Sequence, residues 1–156
     1  YNNSVFFLVL MLCLVAYAQD CASLMSRYTA LEKDAIYEEL MSEADKLIKD
    51  GCSTGNKKLQ RSADKILSAL EVLKVNDARL PEDKKLLNVV VQKRLRNALY
   101  TLNASRKYKD KHSNLYSYQL LFYQVAKENI RVKDYEYALR YSQASYLLGR
   151  AILELR

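Results

Sequence analysis

The sequence predicts an all-α fold: a single compact helical bundle of about five to six helices, with an N-terminal helical hairpin closed by one disulfide. Three observations predict it. The 156 residues contain only 3 Gly and 1 Pro, too few for the turns of a β protein of this size. Apolar residues recur at helical spacing along almost the whole chain. Two cysteines, Cys21 and Cys52, bracket the first of these stretches.

The chain opens YNNSVFFLVLMLCLVAYAQDC, with no charged residue before Asp20 and an almost unbroken apolar run from Val5 to Ala16. Ala16-Tyr17-Ala18 matches the small-x-small cleavage pattern of a secretory signal peptide. The run, at about 12 residues, is short of the roughly 20 that a membrane span needs. Residues 1–19 are therefore read as a signal peptide, and residues 20–156 as a single extracellular domain with no membrane insertion. No basic residue and no Met precede the run, so the sequence is expected to begin a few residues into the precursor. Removing residues 1–19 from the 156 leaves 137, enough for one core. Cys13 departs with the leader, which leaves Cys21 and Cys52 as an even pair in an oxidising compartment. A disulfide is expected; two unpaired or intermolecular thiols are the alternative.

In the first stretch Leu24, Tyr28, Leu31, Ala35, Leu40, Ala44 and Leu47 form one apolar stripe. A straight helix over it would hold its ends about 40 Å apart, whereas bridged cysteines need Cα atoms within about 7 Å. Either the bridge does not form or the segment folds back. TALE (Thr29 to Glu32) reads as a capping box and Asp34 as a second cap, so a break is predicted between Thr29 and Asp34. Asp50-Gly51 is expected to stop the hairpin, and Ser53, Thr54 or Asn56 to cap the next helix. That helix carries Leu59, Ala63, Ile66, Leu70 and Leu73. NDARLPED is a loop, with Pro81 at a first helical position and Glu82 and Asp83 facing the helix dipole. Leu87, Val90, Val91, Leu95, Ala98, Leu99 and Leu102 follow as a third stripe. Ser113 or Asn114 should cap a fourth, of Leu115, Tyr118, Leu121, Phe122, Val125 and Ala126. Asp134 should cap the last, of Ala138, Tyr141, Ser145, Leu148, Ala151, Ile152 and Leu155. The segment from Tyr123 to Gly149 looks like one helical-hairpin repeat, but no second copy exists and it is read as an ordinary helix pair.

Charge is unevenly spread. Residues 20–56 hold eight acids and four bases, net −4, and residues 57–156 hold 21 bases and ten acids, net +11. Such polarity steers charged partners. Parts for catalysis are missing from the pattern. A single histidine, His112, cannot make a zinc site with two bridged cysteines, and it sits in a cationic connector rather than an apolar pocket. Gly51 and Gly55 lack a phosphate-loop ending. The pairs Glu38-Glu39 and Glu82-Asp83 read as solvated helix positions. The chain is read as no enzyme, with no cofactor.

Two binding candidates remain. The stretch NASRKYKDKHSN puts Arg106, Lys107, Lys109 and Lys111 beside a glycosylation sequon at Asn103. It reads as an exposed connector whose cations steer anionic partners; nucleic acid is not expected, because no recognition motif appears. A further sequon at Asn2 falls within the leader. Tyrosine is abundant, 13 against no Trp, and is crowded between Tyr108 and Tyr146. Tyr118, Tyr137 and Tyr141 are expected in the core. Tyr116, Tyr123, Tyr135 and Tyr146 fit the stripes less well and are expected outward. With Arg140, Tyr135 and Tyr146 make a second candidate contact surface, since interfaces are rich in Tyr and Arg.

The opening AQDCASLMSRYTALEKDAIYEEL, the Gly51-Cys52 pair and the tail KDYEYALRYSQASYLLGRAILE resemble the anophensin/albicin family of anopheline mosquito salivary proteins. The resemblance covers the whole of residues 20–156, with no residue role carried over. It implies a secreted, non-enzymatic salivary inhibitor that binds a host plasma protein or protease complex. The target would be the alternative complement pathway at its convertase, or the kallikrein–kinin contact system. Zinc, linked to the contact-system role, would belong to the partner, given the single histidine. Two alternatives stand beside it: a small-molecule binder of biogenic amines or lipids, and a heparin or anionic-surface binder with weak polyanion affinity.

Overall fold

Six α-helices and one 3-10 turn follow one another, with no strand among the described residues. The structure is a computed structural model that describes residues 2–33, 36–74 and 82–156, the side chains of residues 2 and 10–19 excepted. The helices are α1 (Asn2–Glu32), α2 (Glu38–Thr54), α3 (Lys57–Lys74), α4 (Lys84–Ser105), α5 (Ser113–Arg131) and α6 (Tyr135–Glu154); the 3-10 turn is Arg106–Tyr108.

The first two helices answer the distance argument. Cys21 and Cys52 are bridged with Cα atoms 6.0 Å apart, so the chain does fold back. It does so after Glu32, inside the predicted window but beyond TALE. Thr29 caps nothing: its hydroxyl donates to the Met25 carbonyl at 2.9 Å within α1. Remaining helical through Thr29 keeps Leu31 on the face of Leu24 and buries both. The second cap candidate, Asp34, and the stripe residue Ala35 lie outside the described residues.

Asp50-Gly51 does not end α2. Gly51 is buried in the helix, and the stop is Gly55, in the left-handed conformation at φ 69°. The amide of Asn56 donates back to the Gly51 carbonyl at 3.0 Å, the closure expected when glycine follows a helix end. Asn56 then starts α3, its Oδ1 accepting from the amides of Lys58 and Leu59. Asp83 caps α4 by accepting from the Lys85 amide at 2.9 Å, and Asp134 caps α6 by accepting from the Tyr137 amide at 3.3 Å. Pro81 lies outside the described residues. Neither Ser113 nor Asn114 caps α5; both lie inside it, behind a His112 N-cap that supplies no side-chain bond. Asn114 instead reaches Glu43 on α2.

Helix α6 is the axis, packed against α3, α4 and α5. Ala138, Ser142, Ala144, Ser145, Gly149 and Ala151 are all buried on it, so its buried surface wraps beyond the single predicted stripe. Small side chains let neighbours approach closely. Ser62 of α3 donates to the Ala151 carbonyl at 2.9 Å, and Ser145 donates to the Gln119 carbonyl of α5 at 2.8 Å. The main core joins Leu40, Ile66, Leu67, Leu115, Phe122, Leu148 and Ile152, each worth about 1.5–3 kcal/mol on full burial. A smaller core of Val91, Ala138 and Leu139 lies where α4 and α6 begin. Leu99 and Leu121, assigned to stripes by spacing, are exposed.

Arg27 secures α1 on α3. Its guanidinium meets Asp64 and Glu71, both at 2.5 Å, and Ser68 Oγ at 3.0 Å. Burial works against its charge, but the bonds to Glu71 and Asp64 outweigh it and raise its pKa. By contrast Val5 to Val9 on α1 are exposed, Phe6 by 72%. No helix among the described residues is long and apolar enough to cross a membrane.

Candidate functional site

At the end of α4 the backbone tightens into the 3-10 turn and then a turn to His112. Tyr108 packs on the main core and pins this connector. Arg106, Lys107, Lys109 and Lys111 then point outward, all exposed. Lys107 Nζ lies 5.2 Å from the Tyr108 ring centroid. His112 is half-buried, and its Nε2 is buried without a hydrogen bond. Burial, then the charge of Lys111, lowers its pKa, with Glu43 opposing.

Asn103 is exposed on the last turn of α4, while Ser105 of the same sequon is fully buried. The Ser105 hydroxyl lies 2.7 Å from Gln119 Oε1 and 3.3 Å from the Leu102 carbonyl. A sugar on Asn103 therefore has to be added before α4 packs, because the sequon serine belongs to the folded core.

The three residues of the second candidate surface are not brought onto one face. Arg140 is 6% exposed. It is ion-paired to Glu136 one turn earlier, and its guanidinium carbon lies 5.9 Å from the Tyr137 ring centroid. These two contacts hold the side chain down along the helix. Tyr135 is half-buried in the smaller core with Leu87, Val90 and Ile130, and Tyr146 is half-buried. On a regular helix Tyr135 and Tyr146 share a direction, and Arg140 is turned about 140° away from them. Tyr137, expected in the core, is 50% exposed. Tyr118 and Tyr141 are half-buried against the main core. Tyr116 and Tyr123, expected outward, are also half-buried.

Tyr37, Tyr118, Phe122 and Tyr141 form an aromatic cluster with centroid separations of 5.1 to 5.9 Å. Burial, then a 3.2 Å contact with the Tyr141 hydroxyl, raises the Tyr37 pKa well above that of an ordinary phenol. Tyr118 donates to Glu39 at 2.5 Å, which raises its own. Each of these hydroxyls is held by a partner on another element, so the cluster locks α2 onto α5 and α6.

A cleft missed by local sequence patterns lies beside the connector. Lys58, Tyr100, Ala104, Arg150, Glu154 and Arg156 line it, around ≈ 500 Å³. Arg61 engages Glu154 at 3.0 Å, so the one carboxylate side chain there is already paired. Only the position of Tyr100, outside the α4 stripe, hinted at it. Among the described residues no group of three His, Cys, Asp or Glu could hold a metal ion. No protein-family model, curated protein or solved structure matches the chain.

Proposed function

We propose that this protein is a secreted, non-enzymatic inhibitor of a host plasma cascade, acting by occupying a surface of a protease complex. The target is the alternative-pathway convertase or the contact system, as the resemblance to the anophensin/albicin family implies. One observation carries the reading. Arg106, Lys107, Lys109 and Lys111 are exposed, and none is in an ion pair among the described residues. They stand on a bundle braced by a disulfide, which suits a rigid contact surface that steers an acidic partner. The exposed run from Val5 to Val9 supports reading residues 1–19 as a removable leader.

Haemolysis restricted to the alternative pathway and a contact-activation clotting assay test the proposal side by side. Inhibition in one, weakened about tenfold or more by reversing the four connector charges, is expected. Inactivity in both sinks it. The amine- or lipid-binding alternative has less support: the apolar hollow lined by Leu31, Tyr37, Met41 and Leu70 holds only ≈ 70 Å³, against about 300 Å³ or more for a ligand site, and the larger clefts, of ≈ 320, ≈ 500 and ≈ 540 Å³, are each lined by three or more charged side chains. Calorimetry with serotonin, histamine and leukotrienes checks that alternative.

A further inference from the structure

We propose that the cleft between the start of α3, the end of α4 and the end of α6 binds a sulfated glycosaminoglycan. The topology builds it. Gly149 of α6 abuts Thr101 of α4, and the smaller core sets Leu139 beside Val91, so these two helices run parallel. Ser62 bonds to Ala151 and Arg61 to Glu154, so α3 runs the opposite way. The first turn of α3 and the last turns of α4 and α6 therefore meet at one pole of the bundle.

That cleft carries more cations than carboxylates, and Asp20 at the same end is already paired with Lys57. Lys58, Arg150 and Arg156 enter no side-chain ion pair among the described residues, and Arg61 already holds Glu154. From Lys84 to Lys109 the sequence contains no acid, and two residues beyond Ala104 the connector cations begin. The cationic surface thus continues from the cleft across the pole. A single small anion would use only a fraction of it, whereas a linear polyanion can follow its length. Arginine offers paired planar donors that match a sulfate. Tyr100, 76% exposed at the cleft wall, presents a ring on which the C–H face of a sugar can stack. An acidic protein segment would need deep apolar pockets for its anchors; only Tyr100, Ala104 and Leu153 supply apolar side chains in this lining.

The opposite pole is the internal control. Lys84, Lys85 and Lys133 line a cleft there too, but Asp134 and Glu136 are interleaved with them. The same number of cationic side chains is present, but beside two side-chain carboxylates instead of one.

The test is titration calorimetry of the full chain with a size-defined heparin decasaccharide in about 0.15 M NaCl. The variants are Lys58→Ala/Arg150→Ala/Arg156→Ala and the control Lys84→Ala/Lys85→Ala/Lys133→Ala, which loses the same charge. The cleft triple should lose about tenfold or more in affinity and the control less than about threefold. Tyr100→Ala, which changes no charge, should also weaken binding by about threefold or more. Equal losses in both triples would show net charge alone at work and overturn the site. Absence of wild-type binding, an unaffected Tyr100→Ala, or competition by inorganic sulfate at millimolar concentration would overturn the glycan. Far-UV circular dichroism confirms that each variant is folded. Calorimetry with the purified chain contains no plasma component, so failure of glycan binding and failure of cascade inhibition are read separately.

Discussion

A methyl group at Gly149 would come within 2.5 Å of Gln119 Nε2 and 2.7 Å of Thr101 Cβ. Gln119 is fully buried and Thr101 nearly so, so neither can swing away. Gly149→Ala gains about 1 kcal/mol of helix propensity but forces overpacking that costs about 1–3 kcal/mol. A net loss of up to about 2 kcal/mol in urea unfolding is expected. His112 makes a prediction of a different kind. Its folded pKa is held below the ordinary 6.5, first by burial and then by Lys111. The unfolded chain therefore takes up this proton more readily. Stability from the neutral imidazole is complete above about pH 6.5 and is lost as the pH falls through the lowered folded value. Comparing urea midpoints at about pH 7.5 and about pH 5.5, His112→Gln should show a smaller drop than the parent. Single residues are also where sequence reading was weakest. Arg140 had the composition of an interface residue, but whether an arginine projects or lies down depends on Glu136 and Tyr137 beside it.

Among the helix starts capped by a side chain, Asp134 was expected, Asn56 was one of three candidates, and Asp83 was expected inside the helix after Pro81 rather than as its cap. Asn56, Asp83 and Asp134 all accept from amides two or three residues ahead. Ends governed by backbone conformation were harder. Gly55 and Lys133 both take the left-handed conformation, at φ 69° and 62°. The α5 end has the same closure as α2, with Lys133 donating to Ile130 and Asp134 to Asn129. Glycine is unstrained there and lysine is not, so Lys133→Gly should stabilise by about 1 kcal/mol. A rise in the urea midpoint checks it. The α1–α2 hairpin depends on its bridge, which joins cysteines 31 residues apart. Cys21→Ser/Cys52→Ser should cost about 3–4 kcal/mol in the chain-entropy account. Reductant should shift the unfolding of the parent by a like amount and leave the variant unchanged.

For the whole molecule, the acidic hairpin and the basic remainder of the sequence become a bundle with a cation-rich cleft where α3 begins and α4 and α6 end. The connector cations were legible in the sequence because they are contiguous. Lys58, Tyr100, Arg150 and Arg156 were not, because helices running in opposite directions bring residue 58 to residue 156. The exposed Val5 to Val9 and the buried Cys21 and Leu24 set the expectation for truncation. Residues 20–156 alone should be as helical as the bundle and melt cooperatively, within about 3 °C of the full chain. Thermal circular dichroism of the two chains makes the comparison.

The helical class and the approximate number of helices were determined by the sequence alone, and so was the need for the first segment to double back if Cys21 and Cys52 are bridged. Those properties depend on apolar period, on turn-forming residues and on the reach of a disulfide, each acting over a few residues or a fixed distance. Tertiary structure alone decided that α6 is buried on several sides, that Arg140 is held down and that four distant residues share a cationic cleft. Such outcomes depend on which helices surround a given side chain and on the direction in which each runs, and no local pattern encodes either.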